Sequence, residues 1–490
     1  MNEDMRIKIG QRLVVGFDGL EVPPEYVELV KKYKVGNALL FRRNVNSYEQ
    51  LKALCASLRK LILRETGIEP FIMIDEECGS VSRLAGIAAE TPCAMAIGET
   101  GNKENARKIG RLIGQELKAV GINFNLAPVM DCLTNPTTAM GNRCFSGEPE
   151  KVAEYGVAYI QGLQETGVFA CAKHFFGLGD SATDSHLGLP ILNRTAKEIE
   201  NRELVSFRAA IQGGVKGVMS AHLMCPAFEP EGIPGTVSRK IMTGLLRDKL
   251  GFRGISLTDG MEMNAVMDLY GIEEGTRRAL RAGVDMALIC HSEEQASSAS
   301  EYIYRAIDNG EMDKEEIEAH FAHILELKKD LPLPEEKESQ FGSAAQKALA
   351  ESIMREAVKV TYAPQGKKLP KVDRDTVFLG VSAKAGSFAS DDIPLDAASI
   401  IAELFGSKRI ELTEKVPDGT KTAVVFINKH PDNDQALASA CRLSAQGIQT
   451  IAVNMNVPFC AQGLPDTVWQ ISAWQYDQLA LNAVLDVLRK

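Results

Sequence analysis

No Cys-x-x-Cys pair occurs anywhere in this chain, although ten cysteines are spread over its 490 residues, among them Cys55, Cys78, Cys132, Cys171 and Cys290. Most stand inside apolar segments, so they read as buried free thiols of a reducing compartment rather than as disulfides or metal ligands. The histidine and cysteine spacings of a zinc site are missing too, and neither a metal nor a cofactor is expected. No uncharged apolar run is long enough to span a bilayer, and charges interrupt every apolar stretch of the opening MNEDMRIKIGQRLVVGFDG, so no membrane anchor or export signal is read. The expected location is cytoplasmic. Positive charge is not in excess either. The formal net charge of −10 argues against nucleic acid or an anionic membrane surface as partner and favours a small or neutral ligand.

What is present is the balance of a folded protein, 45% apolar and 24% charged residues, which leaves no room for extensive disorder. The length suits a large barrel domain followed by a smaller one. Over residues 1–330, eight short β-prone runs alternate with helix-like stretches: 13–17, 38–41, 71–75, 123–128, 169–173, 217–220, 255–258 and 286–290. Eight βα units predict a TIM-like (β/α)8 barrel as a catalytic domain. The Pro- and charge-rich LPLPEEKESQFGSAAQ at 331–346 reads as a linker. Beyond it, residues 347–490 alternate strand runs at 376–381, 422–427, 449–454 and 468–473 with helical stretches at 432–444 and 478–489, which predicts a smaller α/β sandwich with a mainly parallel sheet. That second unit carries no phosphate-loop fingerprint, and its residues suggest no catalysis of their own.

In a βα barrel the C-terminal strand ends form the active face, and here nearly every run ends in polar or ionisable residues: Arg42-Arg43, Asp75-Glu76-Glu77, Asp131, Lys173-His174, His222, Asp259 and His291. Solvated loops explain many such positions one at a time. They explain less well that four of only seven histidines, His174, His186, His222 and His291, fall there.

Two stretches concentrate the chemistry. The run Lys173-His174-Phe175-Phe176-Gly177-Leu178-Gly179-Asp180-Ser181-Ala182-Thr183-Asp184-Ser185-His186 leaves a buried strand for a Gly-rich loop, in which the Asp184 carboxylate can hold one imidazole nitrogen of His186 while the other faces substrate. The run Gly254-Ile255-Ser256-Leu257-Thr258-Asp259-Gly260-Met261 delivers an acid at the end of an apolar strand, as a barrel nucleophile requires. Taken alone, Asp-x-His is a common spacing, and Asp259 reads equally well as the N-cap of the helix that follows.

Together these stretches resemble glycoside hydrolase family 3, in its bacterial β-N-acetylglucosaminidase (β-hexosaminidase) branch. The resemblance extends, in the family's order, to Leu39-Leu40-Phe41-Arg42-Arg43-Asn44, the stretch 75–83, Ala127-Pro128-Val129-Met130-Asp131 and Gly141-Asn142-Arg143-Cys144-Phe145-Ser146-Gly147-Glu148-Pro149. It implies a retaining, exo-acting enzyme that removes terminal β-linked N-acetylglucosamine, with Asp259 as nucleophile and His186 as acid/base oriented by Asp184. It also implies a sugar pocket built from Asp75, Arg83, Arg143, Lys173 and His174. The substrate would be a small glycan, an N-acetylglucosamine-terminated oligosaccharide or muropeptide fragment. His222 fits either a pocket role or a core hydrogen bond.

The sequence departs from the family pattern at Glu77-Cys78-Gly79-Ser80, at Phe176 and Leu178, and at Gly260-Met261. These changes bear on backbone shape near Asp75, on the loop and on leaving-group preference, and leave the catalytic identities intact. Phosphate in place of water as acceptor is the main alternative, because a neutral histidine does not repel an anion as a second carboxylate would. A non-catalytic glycan sensor is a lesser one.

Overall fold

In the computed structural model, which describes residues 1–181, 188–331, 340–380, 395–428 and 433–490, each of the eight apolar runs becomes a strand of one closed parallel barrel. The strands are β1 (Leu13–Gly16), β2 (Asn37–Leu40), β3 (Phe71–Ile74), β4 (Phe124–Asn125), β5 (Phe169–Phe175), β6 (Gly217–Ser220), β7 (Ile255–Gly260) and β8 (Met286–Ile289). They run in sequence order around the barrel, and β1 closes on β8 through the register Leu13↔Ala287, Val14↔Leu288 and Val15↔Ile289. Burial on both faces explains why these strands appear in the sequence as continuous apolar runs rather than alternating ones.

Inward-facing side chains fill the barrel in layers. Its lower part is packed by Phe71, Phe124 and Phe169, whose ring centroids lie 5.2, 5.5 and 5.6 Å apart. Above them, Leu39, Leu126, Met219 and Leu288 are buried and also form the floor of a cavity at the C-terminal end.

The outer helices are set by end signals and small residues. Helix Lys103–Val120 starts at Asn102, whose side chain accepts from Glu104 N, and stops at Gly121, whose φ of 91° suits glycine. Its apolar face includes Ile109, Ile113 and Leu117. It packs closely on helix Pro149–Gln164, where a Cβ on Gly162 would lie 2.0 Å from the Arg107 carbonyl oxygen. A larger residue at 162 would force the two helices apart.

The second domain holds a six-stranded sheet. Strands Val377–Leu379, Lys408–Ile410, Thr422–Ile427, Gln449–Asn454 and Trp469–Ser472 pair in parallel, and Lys359–Tyr362 adds an antiparallel edge to Trp469–Ser472. The mainly parallel sheet agrees with the expectation, but the two outermost strands, 359–362 and 408–410, were not anticipated. Helix Ala344–Ala357 also begins inside the stretch read as linker, with Ser343 and Gln346 forming its capping box.

Candidate active site

The ladder between β7 and β8 is irregular where Asp259 sits: Met286 pairs with Leu257, but Leu288 pairs with Gly260. A second shift falls in the β5–β6 pairing between Ala172 and Phe175, which spans Lys173 and His174. Such irregularities re-aim side chains at the rim of a barrel. Here they carry three polar residues into a cavity of about 530 Å³ above the apolar floor.

Asp75, Arg83, Arg143, Lys173, His174 and Asp259 all line this one cavity. Asp184 and His186, the other two residues expected to act there, lie outside the described residues. The chain on either side of that stretch is tied to the barrel. The Gly179 carbonyl accepts from Thr134 N and Asn135 N, Leu192 N donates to the Met224 carbonyl at 2.9 Å, and Asp180 receives Arg194 through two bonds of 3.0 Å.

The charged residues of the cavity wall form a connected lattice. Lys173 Nζ, on a side chain only 2% exposed, lies 2.5 Å from Asp75 Oδ1 and 2.6 Å from Glu77 Oε1. Arg143 grips Glu77 with two parallel bonds of 2.7 Å, from Nε to Oε2 and from Nη2 to Oε1. Burial alone would raise the Glu77 pKa, but Arg143 and Lys173 outweigh it and hold the carboxyl well below the usual range. Burial disfavours the Lys173 ammonium, and Asp75 and Glu77 more than restore it, so this lysine stays charged. The lattice thus presents fixed donors and acceptors to a polyhydroxylated ligand.

His174 is oriented by Asp131, which is 2% exposed. Asp131 Oδ2 lies 3.0 Å from His174 Nδ1 and accepts from His174 N at 3.0 Å, while Oδ1 accepts from Leu178 N at 2.9 Å and Gly177 N at 3.3 Å. One carboxylate therefore fixes both the imidazole and the start of the Gly-rich segment.

Asp259 is framed by backbone anchors. Thr258 Oγ1 accepts from Leu288 N at 2.9 Å, and His222 Nε2 donates to the Gly260 carbonyl at 2.9 Å. His222 is fully buried and contacts Thr236 Oγ1 at 2.8 Å. It is not part of the cavity lining, so its place is a core hydrogen bond behind the strand end. Glu262 accepts from Cys290 N and His291 N through Oε1, at 2.5 and 2.9 Å, and burial raises its pKa.

Glu77, Asp131 and Glu262 were not among the expected site residues. The first two did carry a signal, since both stand in the polar runs at strand ends. Of the three consecutive acids at 75–77, Asp75 and Glu77 find their cations in Lys173 and Arg143, whereas Glu76 turns away, accepts from Leu84 N at 3.0 Å and is raised to about 8 by burial. Among the described residues no group of three or more His, Cys, Asp or Glu side chains could hold a metal ion, and no helix is long and apolar enough to cross a membrane.

Comparison with known proteins gives the family and the fold independently of the site. The family model described as the glycosyl hydrolase family 3 N terminal domain matches residues 4–327. Beta-hexosaminidase A of Pseudoalteromonas piscicida is 33% identical over 334 residues, 64% of this chain and 56% of that protein, so the match spans little more than half of that relative. A beta-hexosaminidase of Nitrosomonas eutropha is 34% identical over 288 residues, 57% of this chain and 81% of its own length. Among solved structures, a glycoside hydrolase family 3 beta-N-acetylglucosaminidase from Paenibacillus sp. str. FPU-7 superimposes with a TM-score of 0.89 at 29% identity, covering 99% of this chain and 96% of that one. With the family model matching well over half of the sequence, and with an acid at the β7 end facing a polar cavity, the chain belongs to glycosyl hydrolase family 3 and is an enzyme of the glycoside hydrolase class.

Proposed function

We propose that this enzyme is a retaining, exo-acting β-N-acetylglucosaminidase that cleaves terminal β-linked N-acetylglucosamine from small glycans such as chitin-like oligosaccharides or muropeptide fragments. The observation that carries the reading is the juxtaposition, in one cavity of about 530 Å³, of Asp259 with the lattice of Asp75, Lys173, Glu77 and Arg143. A cavity of that size suits a terminal sugar with part of its neighbour. The likeness to beta-hexosaminidases and to a beta-N-acetylglucosaminidase over nearly the whole chain supports the same substrate class.

In the first step an Asp259 oxygen attacks the anomeric carbon, and the bond to the leaving oxygen breaks as His186 gives that oxygen its proton. The product is a glycosyl ester on Asp259 and a free aglycone alcohol. In the second step His186 takes a proton from water, whose oxygen displaces Asp259 from the anomeric carbon and restores the starting configuration. Asp184 orients His186 and stabilises its charged form. Asp75, Arg83, Arg143, Lys173 and His174 hold the sugar hydroxyls. The division into a catalytic unit at 1–330, a linker from 331 and a second unit that opens with helix Ala344–Ala357, three residues before the expected boundary at 347, belongs to this proposal. So does a cytoplasmic setting, which the nine buried free cysteines support.

The test is turnover of p-nitrophenyl β-N-acetylglucosaminide with and without inorganic phosphate, with the released sugar identified. Free N-acetylglucosamine in both conditions is expected. A phosphate-dependent switch to the 1-phosphate would replace water by phosphate as acceptor, and no turnover would overturn the reading. The same substrate series tests His186. His186→Ala should lose ~10²- to 10⁴-fold on natural glycosidic bonds and far less on the nitrophenyl substrate, whose leaving group needs no proton. Equal losses on both would remove His186 as the acid.

A further inference from the structure

The second domain touches the barrel beside the sugar pocket, at the turn that follows its strand Trp469–Ser472. Trp474 is 4% exposed and Gln475 1%, and the Trp474 indole is fixed within its own domain by a bond of 3.0 Å to the Ala357 carbonyl. From this rigid turn two routes lead to the charged lattice.

The first route runs through Asn142, whose Nδ2 donates to the Trp474 carbonyl at 2.9 Å. Asn142 lies in the middle of the short 3-10 turn Gly141–Arg143, so it adjoins the arginine that grips Glu77. The second route runs through Gln475. Its Oε1 accepts from Cys93 N at 2.5 Å, and its Nε2 approaches the Thr91 carbonyl at 3.5 Å. The same Thr91 carbonyl accepts from Gly79 N at 3.2 Å, two residues from Glu77. Trp474, Gln475, Thr91 and Cys93 do not line the cavity. Both routes therefore reach the segments that carry Arg143 and Glu77 from outside the cavity lining.

We propose that the Trp474–Gln475 turn of the second domain is a positioning element of the sugar pocket, holding the Glu77–Arg143 pair in register with Lys173 and so setting affinity for the terminal sugar. Its functional readout rests on the β-N-acetylglucosaminidase reading. The physical reason is that a bidentate arginine–carboxylate pair tolerates little displacement. Arg143 sits on a three-residue turn, whose placement depends on what its neighbours hold. Asn105 Nδ2 donates to Glu356 Oε2 at 3.0 Å, on the last turn of the helix that also anchors Trp474, and so joins the two domains without a bond to the segments that carry Glu77 and Arg143.

The experiment compares full-length wild type with Asn142→Ala, Gln475→Ala and Asn105→Ala. Asn142→Ala and Gln475→Ala should each raise both KM for p-nitrophenyl β-N-acetylglucosaminide and the inhibition constant of free N-acetylglucosamine by about 5- to 10-fold, the worth of one hydrogen bond, with kcat nearly unchanged. Asn105→Ala should move neither constant. Should Gln475→Ala not fold, the partly exposed Asn142→Ala decides alone. Amide hydrogen exchange gives a readout independent of turnover: residues 76–84 and 140–146 should exchange faster in the two turn variants and not in Asn105→Ala. Unchanged KM and exchange in Asn142→Ala, or an equal rise in Asn105→Ala, would overturn the inference. Absence of wild-type turnover would instead overturn the substrate reading, and the exchange data would still decide the positioning role.

Discussion

The barrel buries ionised side chains at both of its ends, and the two ends use them differently. At the N-terminal end Asp285, fully buried, accepts from Ser256 N at 2.8 Å and Ser256 Oγ at 3.1 Å, pairs with Arg247 and meets His320 Nδ1 at 2.7 Å. Nearby, Arg12 spends its guanidinium on the carbonyls of Leu280, Val284 and Asp285. At the C-terminal end the Lys173–Glu77–Arg143 lattice is as buried, but it borders a cavity. Glu77 and Asp285 are alike in charge state: burial would raise both, and their cationic neighbours hold both well below the usual carboxylate range. A perturbed buried carboxylate therefore does not mark a site by itself. What separates the two ends is whether the fixed charges face space that a ligand can fill.

The sharpest break in this comparison is Asp259→Ala. It should lower turnover by ~10⁴-fold or more, as removal of a covalent nucleophile does, while circular dichroism and melting temperature stay close to wild type. Substantial residual turnover would remove Asp259 from the nucleophile role.

Next come paired neutralisations at the two ends. Glu77→Gln and Asp285→Asn should each destabilise the fold by roughly 3–5 kcal/mol, because each leaves buried cations without their carboxylate. Only Glu77→Gln should also raise KM, measured at a temperature where both variants remain folded. Because both carboxylates have depressed folded-state values, the stability they contribute is present above the unfolded pKa near 4 and is lost as pH falls through the folded value. Each variant should therefore flatten the loss of stability on acidification. An unchanged KM in Glu77→Gln would make the top lattice as purely structural as the bottom one.

The fold was legible because the physics that buries a barrel strand leaves a short apolar run, and all eight runs became strands. The misses have the same explanation in reverse. Strand Lys359–Tyr362 is exposed along its length and Lys408–Ile410 opens with two cationic residues, so neither edge carries an apolar signature. β4 is shorter than its run, which contains Pro128 and so lacks one ladder donor. In the site, residue types at strand ends were legible, but pairing was not: Arg143 and Glu77 are 66 positions apart. Nothing in a single sequence states that the arginine of one loop answers the third acid of another. His222 was undecidable for the same reason, since its partners Thr236 and Gly260 are set by packing.

A third region sharpens the contrast between paired and unpaired burial. Glu116, on helix Lys103–Val120, accepts from Ala89 N at 3.0 Å and from Gly342 N at 3.1 Å, and so ties the barrel to the chain entering the second domain. Among the described residues no cation pairs with it directly, and burial pushes its pKa up to about 7, with the two backbone donors and Lys347 offsetting only part. The sign is opposite to that of Glu77: the folded state holds this proton more tightly than the unfolded chain, so stability is greatest below the unfolded value near 4.5 and declines as pH rises through about 7. Glu116→Gln keeps an acceptor oxygen for both backbone donors and carries no charge. Denaturant unfolding should find the variant and wild type equal near pH 5 and the variant more stable by ~1–3 kcal/mol at pH 8, with KM and kcat unchanged. A variant less stable than wild type at pH 8 would mean that the carboxylate is favourably compensated there, and that burial without a cation is not the cost this helix bears.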